Sequence, residues 1–433
     1  MRTYDTYKDS GISWLGQIPS HWDVKRARIV LAENASVNSD VSVTKQLQFK
    51  YGEIEPKANQ SVDDGVMETI SKYTVVDKGD IMINGLNLNY DFISQRVAQV
   101  QEKGCITSAY VSLRPTKLAN SRYYTYYLKA MDNIKMFHGM GSGVRLTLSY
   151  KELKNMYIPI PPIEEQSVMA DYIDSATAEI DKAIASQQRM VELLQERKQI
   201  IIESAVTKGI DSNVEFKDSG LKYLGVIPNT WNTIRLGYCS WIRARLGWKG
   251  LTADEYVDEG YPFLSAFNII DNLLVWSPLN FISKFRFDES PEIKLKIGDI
   301  LLVKDGAGIG KCARVDDLPC GEATANGSLA FITPDDTFDY RYLYYFLISN
   351  CFKQFTELLI NGQGVPHLTQ EVLKRVKVPR PPKEIQVRIV EQLDKVVKEI
   401  NASIASCDVI ISKLQERKQI LINDVVTGKI KII

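Results

Sequence analysis

The segment ILLVKDGAGIGK, residues 300–311, has the residue types most typical of small-molecule chemistry in this chain. An apolar strand followed by Asp-Gly-x-Gly-x-Gly is similar to loops that hold a phosphate or S-adenosylmethionine through backbone N–H groups. Two residues argue against a Walker-type phosphate loop. Asp305 stands where the first glycine is required, and Cys312 follows Lys311 where a Ser or Thr would bind magnesium.

Other groupings of reactive side chains are missing from the sequence. The six cysteines form no Cys-x-x-Cys pair, and with only three histidines a zinc cluster is disfavoured. The first residues, MRTYDTYKDSG, lack the apolar core of a signal peptide. No apolar run reaches the roughly 18 residues of a membrane span. These features predict a cytoplasmic protein with reduced thiols and no metal site.

The charge balance limits the partners that the chain can attract by itself. Lys and Arg together number 53, and so do Asp and Glu, so the chain has no overall basic field. Any contact with nucleic acid must come from local patches, or from a partner that supplies positive charge. With 433 residues, 45% of them hydrophobic, the chain is long enough for two or more cores.

The chain is a tandem repeat. YKDSGISWLGQIPSHW (7–22) matches FKDSGLKYLGVIPNTW (216–231), and QERKQII (195–201) matches QERKQIL (415–421). The offset between the copies rises from 209 to 220 residues, most of it early in the second copy. Because the interiors match only at framework points, we expect one shared architecture with two different contents. The framework points include KGDIMI (78–83) with IGDILL (297–302), RYYTYYL (122–128) with RYLYYFL (341–347), and PIPPIEEQ (159–166) with PRPPKEIQ (379–386).

This repeat predicts four segments: a first globular domain at 1–160, a helix at 161–208, a second domain at 209–380 and a second helix at 381–433. Short apolar strands such as DIMI and DILLV predict α+β domains of mainly antiparallel sheet. The tyrosine-rich segment 121–131 could be taken for a base-stacking platform, but its recurrence at helical spacing favours a core helix.

Each long helix has an apolar seam with alternating spacings of four and three residues, which predicts an antiparallel coiled coil within the chain. About 40 residues give a rod of roughly 60 Å, longer than a small domain is wide. The alternative is two amphipathic helices packed on separate domain cores. The predicted seam consists of Met169, Ile173, Ala176, Ile180, Ala183, Gln187, Met190, Leu194, Arg197 and Ile201, and of Ile389, Leu393, Val396, Ile400, Ser403, Cys407, Ile410, Leu414, Arg417 and Leu421.

Taken together, the duplicated motifs resemble those of the specificity subunit of type I DNA restriction-modification systems. The carriers are the Ile-Pro-x-x-Trp segments, the Gly-Asp-Ile turns, the Pro-x-Pro-Pro helix starts and the QERKQI helices, each present twice and in the family's order. The resemblance implies a pseudo-twofold α+β fold in which two similar target-recognition domains are joined by two long antiparallel helices. It also implies that each domain reads one half of a bipartite, asymmetric DNA site and that the chain is not itself catalytic.

The resemblance further implies partners and cofactors. The expected partners are double-stranded DNA, two adenine-N6 methyltransferase subunits docked on the helices, and, through them, the ATP-dependent restriction subunit; no membrane is involved. S-adenosylmethionine, ATP and Mg are expected on the partner subunits and none in this chain. The predicted docking residues are the repeated polar faces Gln195, Glu196, Arg197 and Lys198, and Gln415, Glu416, Arg417 and Lys418.

Candidate DNA-reading residues have amide, basic or imidazole side chains, since these hydrogen-bond base edges and phosphates. Most lie near the Gly-Asp strands or on loops, whereas Arg243, Arg245 and Lys249 form an acid-free basic stretch interleaved with Trp241 and Trp248. In the first domain they are Asn84, Asn87, Asn89, Arg96 and Arg145, and in the second Arg243, Arg245, Lys249, Lys304, Lys311 and His367.

Two other functions are also compatible with the sequence. One is a stand-alone methyltransferase that uses residues 300–311, although the aligned segment 81–90 reads IMINGLNLNY and the chain has no Asn/Asp-Pro-Pro-Tyr/Phe motif. The other is a coiled-coil adaptor without DNA specificity.

Overall fold

The computed structural model describes residues 2–58, 63–90, 95–143, 146–245, 251–306, 308–360 and 367–432. The fold is α+β, and the chain divides into two compact units that do not follow chain order. Unit 1 consists of Met1–Gln188 and Asp408–Ile433, and unit 2 consists of Arg189–Cys407. Each unit therefore combines one globular domain with half of each long helix.

The elements follow the repeat. Before the first long helix the chain forms β1 Tyr7–Asp9, β2 Gln17–Pro19, β3 Asp23–Arg26, β4 Leu31–Glu33, β5 Leu47–Lys50, β6 Glu53–Pro56, α1 Asp64–Ile70, β7 Thr74–Val76, β8 Ile81–Ile83, β9 Val97–Gln99, β10 Gly104–Ile106, β11 Val111–Pro115, α2 Ser121–Asn133, α3 Tyr150–Leu153 and β12 Tyr157–Ile160, followed by α4 Ile163–Lys208. The second copy forms β13 Phe216–Asp218, β14 Val226–Pro228, β15 Asn232–Arg235, α5 Leu236–Cys239, β16 Ser240–Arg243, β17 Tyr261–Leu264, β18 Ile269–Ile270, β19 Leu273–Leu274, β20 Asn280–Ile282, α6 Lys284–Asp288, β21 Ile300–Val303, β22 Cys312–Arg314, β23 Thr324–Ala325, β24 Leu329–Pro334, α7 Tyr340–Leu347, α8 Asn350–Ile360, α9 Gln370–Arg375 and β25 Lys377–Arg380, followed by α10 Lys383–Val426.

The main sheets of the two units have the same topology. Unit 1 has the strand order β4-β11-β8-β9 and unit 2 the order β16-β24-β21-β22, with antiparallel pairing throughout. In both units the Gly-Asp turn leads into a fully buried central strand, β8 or β21. Gly79 and Gly298 take φ values of 96° and 91°, a conformation that explains why both turns need glycine.

The tyrosine-rich helix α2 is part of the core, as its spacing predicts. Tyr123, Tyr124 and Tyr127 are completely buried, and the corresponding Tyr342 of α7 is buried in the same way. The residues before each helix cap it: the Asn120 side chain accepts hydrogen bonds from two backbone N–H groups of α2, and Asp339 accepts one from α7. These tyrosines are framework rather than a stacking surface.

The two long helices run antiparallel within each unit. In unit 1, Met169 near the start of α4 shares a core with Ile422 near the end of α10. In unit 2, Ile202 near the end of α4 shares a core with Ile389 near the start of α10. The beginning of one helix packs on the end of the other in both cases, so the antiparallel pairing is confirmed.

The predicted seam is wrong at five of its twenty positions. Met190 and Arg197 are exposed, whereas Val191 and Lys198 are partly buried. The second helix shows the same one-residue shift, with Ser403, Ile410 and Arg417 exposed and Ile404, Ile411 and Lys418 partly buried. The pattern was ambiguous because apolar residues at positions such as Met190 belong to a second, solvent-exposed stripe beside the seam.

Duplicated hydrogen bonds tie each globular domain to both helices. The buried Gln166 amide, at the start of α4, accepts from Asn120 N at 2.8 Å and donates to the carbonyls of Leu118 and Pro161. Gln386, at the start of α10, makes the same set of bonds in unit 2.

The buried tyrosines supply the second attachment. Tyr123 donates to the carbonyl of Val426 at the end of α10, and Tyr342 donates to that of Val206 at the end of α4, both at 2.9 Å. The repeated motifs are therefore the joints between domains and helices. None of the helices, over the part of the chain that the structure describes, is long and apolar enough to cross a membrane.

Candidate nucleic-acid interface

In both units the central strand that follows the Gly-Asp turn ends at a junction with a returning loop. In unit 1, Leu148 N donates to Gly85 O, and in unit 2, Leu368 N donates to Lys304 O, both at 2.9 Å. A Cβ on Gly85 would lie only 2.3 Å from Leu148 O, so this junction requires glycine in unit 1. The same backbone contact thus carries different side chains in the two units.

In unit 2 this junction extends into a row of polar residues, which we call the strand-end ledge. It comprises Ser265, Lys304, Asp305, Asn326, Ser328 and His367. Backbone hydrogen bonds join its parts: Asn326 N donates to Leu264 O at 2.8 Å, and Lys304 N donates to Ser328 O at 2.9 Å. The parallel pairing of β17 with β23 brings the carboxyl ends of these two strands to the same edge. The ledge therefore offers amide, hydroxyl, imidazole and ammonium groups on a rigid base.

Ionic contacts order the middle of the ledge. Asp305 accepts from the Lys304 ammonium at 2.6 Å and also contacts the imidazole of His367. Burial by itself raises the pKa of Asp305, but the hydrogen bonds from Lys304 and His367 outweigh it and hold the pKa below its usual range. Asp305 is thus a carboxylate that positions two of the predicted DNA-reading residues.

Four ledge residues were not among the sequence candidates: Ser265, Asp305, Asn326 and Ser328. The Asn-Gly-Ser sequence at 326–328 is a visible turn signal, but the sequence does not reveal that this turn lies beside Lys304.

In unit 1 the structure divides the predicted residues into two groups. Asn87 and Asn89 are exposed, and Asn84 is partly buried, where its side chain accepts from Leu86 N at 3.2 Å as a turn former. Arg96 is only 9% exposed, and its guanidinium donates to the carbonyls of Asn84, Leu86 and Asn87. Arg96 therefore shapes the loop that presents the asparagines and does not lie on the surface that could face DNA.

Arg243 and Arg245 of unit 2 are also interior. The guanidinium of Arg243 lies 2.6 Å from the carboxylate of Asp299, and the two side chains are 4% and 0% exposed. Arg245 is 8% exposed, lies 3.7 Å from Glu289, and within the described residues its Nε and Nη2 make no hydrogen bond. The described part of this basic stretch is folded into the domain, where Ile242, Arg243 and Ala244 are consecutive buried residues.

The remaining predicted residues differ in accessibility. His367 is exposed, whereas the Lys304 side chain is only 14% exposed. Lys311 is exposed but lines a cleft of about 330 Å³ that it shares with Gln199 of α4 and Lys353 of α8, away from the ledge residues. Arg145 and Lys249 lie outside the described residues.

The described residues of the glycine-rich segment, 300–306 and 308–311, belong to a β-hairpin. Its first strand, β21, pairs directly with β22, which begins at Cys312, and Gly310 N donates to Val303 O across the turn at 2.9 Å. A phosphate or S-adenosylmethionine loop of the predicted kind needs a helix N-terminus after the glycines. A strand follows instead, so the segment lacks that geometry. Among the described residues no cluster of His, Cys, Asp and Glu side chains could hold a metal ion.

The helices expose the predicted docking residues almost as expected. Gln195, Glu196 and Arg197 are exposed, as are their copies Gln415, Glu416 and Arg417. The fourth residue of each set turns toward the paired helix: Lys198 donates to Asn401 at 3.0 Å, and Lys418 donates to Asp181 at 2.7 Å. These two lysines bind the helices to each other, which leaves three exposed residues in each set.

Each helix also has a stripe of exposed apolar and basic residues, which we call the docking stripe. On α4 it consists of Met190, Leu193, Arg197 and Ile200, and on α10 of Ile410, Lys413, Arg417 and Ile420. The spacing of three, seven and ten residues places all four on one helical face. Met190 is 49% exposed, Ile200 58%, Ile410 43% and Ile420 53%. Apolar residues repeated at equivalent solvent-exposed positions are typical of a protein contact surface.

The chain thus consists of a duplicated α+β domain, and each copy is combined with part of both long helices. The family profile described as "Type I restriction modification DNA specificity domain" matches residues 23–188 and again residues 228–406. The chain belongs to this family.

Relatives of the same length support the assignment. The chain is 24% identical over 426 residues to the type I restriction enzyme MjaVIII specificity subunit of Methanocaldococcus jannaschii, covering 96% of this chain and 94% of the relative. It is also 24% identical over 437 residues to the putative MjaX specificity subunit of that organism, with 96% of each chain covered. Among solved structures, a chain from a study of complex assembly and conformational transition of the type I R-M system shares the fold with a TM-score of 0.70, 16% identity and coverage of 95% of this chain and 99% of that chain.

Proposed function

We propose that this chain is the sequence-recognition subunit of a type I restriction-modification complex and that each unit reads one half of a bipartite, asymmetric DNA site. The observation that carries the proposal is the repeat itself. Both units keep the same four-stranded sheet and the same strand-end junction, yet they place different side chains there, with glycine and asparagines in unit 1 and Lys304, Asp305 and His367 in unit 2. One scaffold with two different edges suits two different base sequences.

The partners follow from the second repeated feature. The Gln-Glu-Arg faces are identical in the two helices, and both docking stripes have an exposed apolar residue at each end, so two copies of one protein can bind this chain in equivalent ways. We assign this role to two adenine-N6 methyltransferase subunits, with the restriction subunit joining through them. The chemistry of methyl transfer and ATP hydrolysis then belongs to those partners.

The balanced charge of the chain fits a shared DNA-binding surface. Tight, sequence-independent binding requires many basic contacts to phosphates, and this chain has as many acidic as basic residues. We therefore expect the isolated chain to bind DNA poorly and the assembled complex to bind tightly. Sequence-selective binding by the purified chain alone, with a steep salt dependence, would contradict this view.

The decisive experiment is an exchange of domain contents. Residues 24–155 are replaced with the corresponding residues of a relative, the hybrid is expressed with its modification subunit, and genomic adenine methylation is sequenced. We expect one half of the methylated motif to change and the other half to stay the same. An adaptor without DNA specificity would leave the whole motif unchanged, and a stand-alone methyltransferase would methylate without the partner and bind S-adenosylmethionine alone.

A further inference from the structure

Phe267 of unit 2 is an apolar side chain in an unusual place. It is 92% exposed, although it is a large aromatic residue within a folded domain. Exposed single aromatics are common, so the exposure of Phe267 is informative only together with the turn that holds it and the surface beside that turn.

The backbone under Phe267 is fixed. The residue lies in a 3₁₀ turn, Ala266–Asn268, directly after β17. Asn268 is 7% exposed, and its side chain donates to the carbonyls of Val275 and Pro278 and accepts from Ser265 N. The hydroxyl of Ser265 accepts from Phe267 N. The ring therefore projects from a turn whose own side chains are satisfied inside the domain.

The position of this turn identifies the surface that Phe267 belongs to. Ser265, the first residue of the turn's cap, is also a member of the strand-end ledge, and Leu264 before it is bonded to Asn326 of the same ledge. Phe267 thus lies two residues from a row of amide, hydroxyl and imidazole side chains that also includes the paired Lys304 and Asp305. This is the composition of a surface that reads bases by hydrogen bonds and packs an apolar group against base faces.

We propose that Phe267 is a base-contacting residue, whose ring stacks against a base of the duplex at a locally unstacked step in the half-site read by unit 2. The proposal rests on the proposed function, since it assumes that the strand-end ledge faces DNA. The binding partner it names is duplex DNA, and not the modification subunit, because the docking stripes that suit a protein lie on the helices and the ledge is polar.

The test uses the chain assembled with its modification subunit. Phe267→Ala is compared with Phe285→Ala, which removes a 74% exposed phenylalanine from α6 of the same unit. We expect the affinity for the cognate duplex to fall about tenfold in Phe267→Ala, as for loss of one stacked base, and to stay unchanged in Phe285→Ala. Both variants should keep the thermal unfolding midpoint and the partner stoichiometry of the unaltered chain.

A second variant reports stacking directly. Phe267→Trp should retain affinity, and the emission of the added indole should be quenched on binding the cognate duplex but not on binding the modification subunit. Unchanged affinity in Phe267→Ala, or loss of partner binding without DNA, would overturn the inference. If the unaltered complex methylates no bipartite motif, the proposed function fails instead, so the two failures are distinguishable.

Discussion

The guanidinium of Arg243 lies 2.6 Å from the carboxylate of Asp299, and both side chains are almost entirely buried. Asp299 belongs to the Gly-Asp turn of unit 2, and it also accepts a hydrogen bond from Lys296 N at 2.8 Å. Arg243 is further placed over the ring of Trp241, 4.6 Å from its centroid. This ion pair holds the edge strand β16 to the turn that starts the central strand β21.

In unit 1 the carboxylate of the Gly-Asp turn forms an ion pair with an arginine from a different strand. Asp80, the equivalent carboxylate, is 3% exposed and pairs with Arg114 at 2.7 Å, but Arg114 comes from β11 and not from the edge strand. At the position of Arg243, unit 1 has Asn34, which donates to Asp80 at 3.1 Å. Both units therefore keep the buried aspartate, but the arginine that pairs with it comes from a different strand in each. For this reason the sequence pattern alone could not show that Arg243 is the ion-pair partner of Asp299.

Replacing Arg243 with Met should destabilise unit 2 and leave partner binding intact. Removal of one member of a buried ion pair leaves an uncompensated charge and costs about 3–5 kcal/mol. The matched control is Arg388→Met, which breaks an exposed pair with Asp211 whose side chains are 52% and 47% exposed, and should cost no more than about 1 kcal/mol. Chemical denaturation measures both. A stable Arg243→Met variant that has lost only DNA binding would contradict the framework role.

Each docking stripe should bind one partner subunit independently. Ile200→Asp places a charge at a 58% exposed position of α4, and Ile420→Asp does the same at a 53% exposed position of α10. Desolvating an unpaired carboxylate in an apolar contact is unfavourable, so we expect each single variant to bind one modification subunit and the double variant none. Light scattering of the purified complexes gives the stoichiometry.

The control for this experiment is Leu118→Asp, at a 53% exposed apolar residue outside both docking stripes. It should bind two subunits. Retention of both subunits in the double variant would refute the docking stripes.

Lowering the pH should reduce the contribution that Asp305 makes to the folding stability of the chain. Its pKa is lowered in the folded chain by Lys304 and His367, against the effect of burial. A lowered folded pKa contributes stability above the unfolded value of about 4, and this contribution is lost as pH falls through the folded pKa. We therefore expect the unaltered chain to be more stable than Asp305→Asn at neutral pH, and this difference to shrink progressively as the pH falls below about 4 and through the lowered pKa of Asp305. Paired denaturation curves across pH test it; a constant difference would exclude the ionic contribution.

We expect only one cysteine of the folded chain to react rapidly with a thiol-specific reagent. All six cysteines are free, and Cys320 is exposed while the other five are buried. Burial raises the pKa of Cys239 and of Cys351 to about 12, so these thiols hold almost no reactive thiolate at pH 8. The native chain should react with one equivalent of a disulfide reagent, and Cys320→Ser with none. Rapid reaction of a second native thiol would show that a core is open to solvent.

Much of the framework could be predicted from the sequence. The Pro-Pro helix starts, the Gly-Asp turns and the buried tyrosines occur in both copies. Each of these positions requires a specific backbone conformation or a specific packing volume, so the same residue types are found in both copies. The α+β class, the two long helices and their antiparallel pairing followed from this repetition. The seam was wrong at positions such as Met190 because a second apolar face satisfies nearly the same periodicity.

The sequence by itself determined the repeat, the helices and the absence of familiar cofactor motifs, because these depend on local patterns. Only the tertiary structure decided which polar side chains remain accessible. Arg96 and Arg243 have the chemistry of DNA-reading residues but are held inside by carbonyl and carboxylate partners. Ser265 and Asn326 lie beside Lys304 only because a parallel strand pair brings their turns to one edge of the sheet. Pairing between segments this far apart in the chain is not visible in the local sequence pattern.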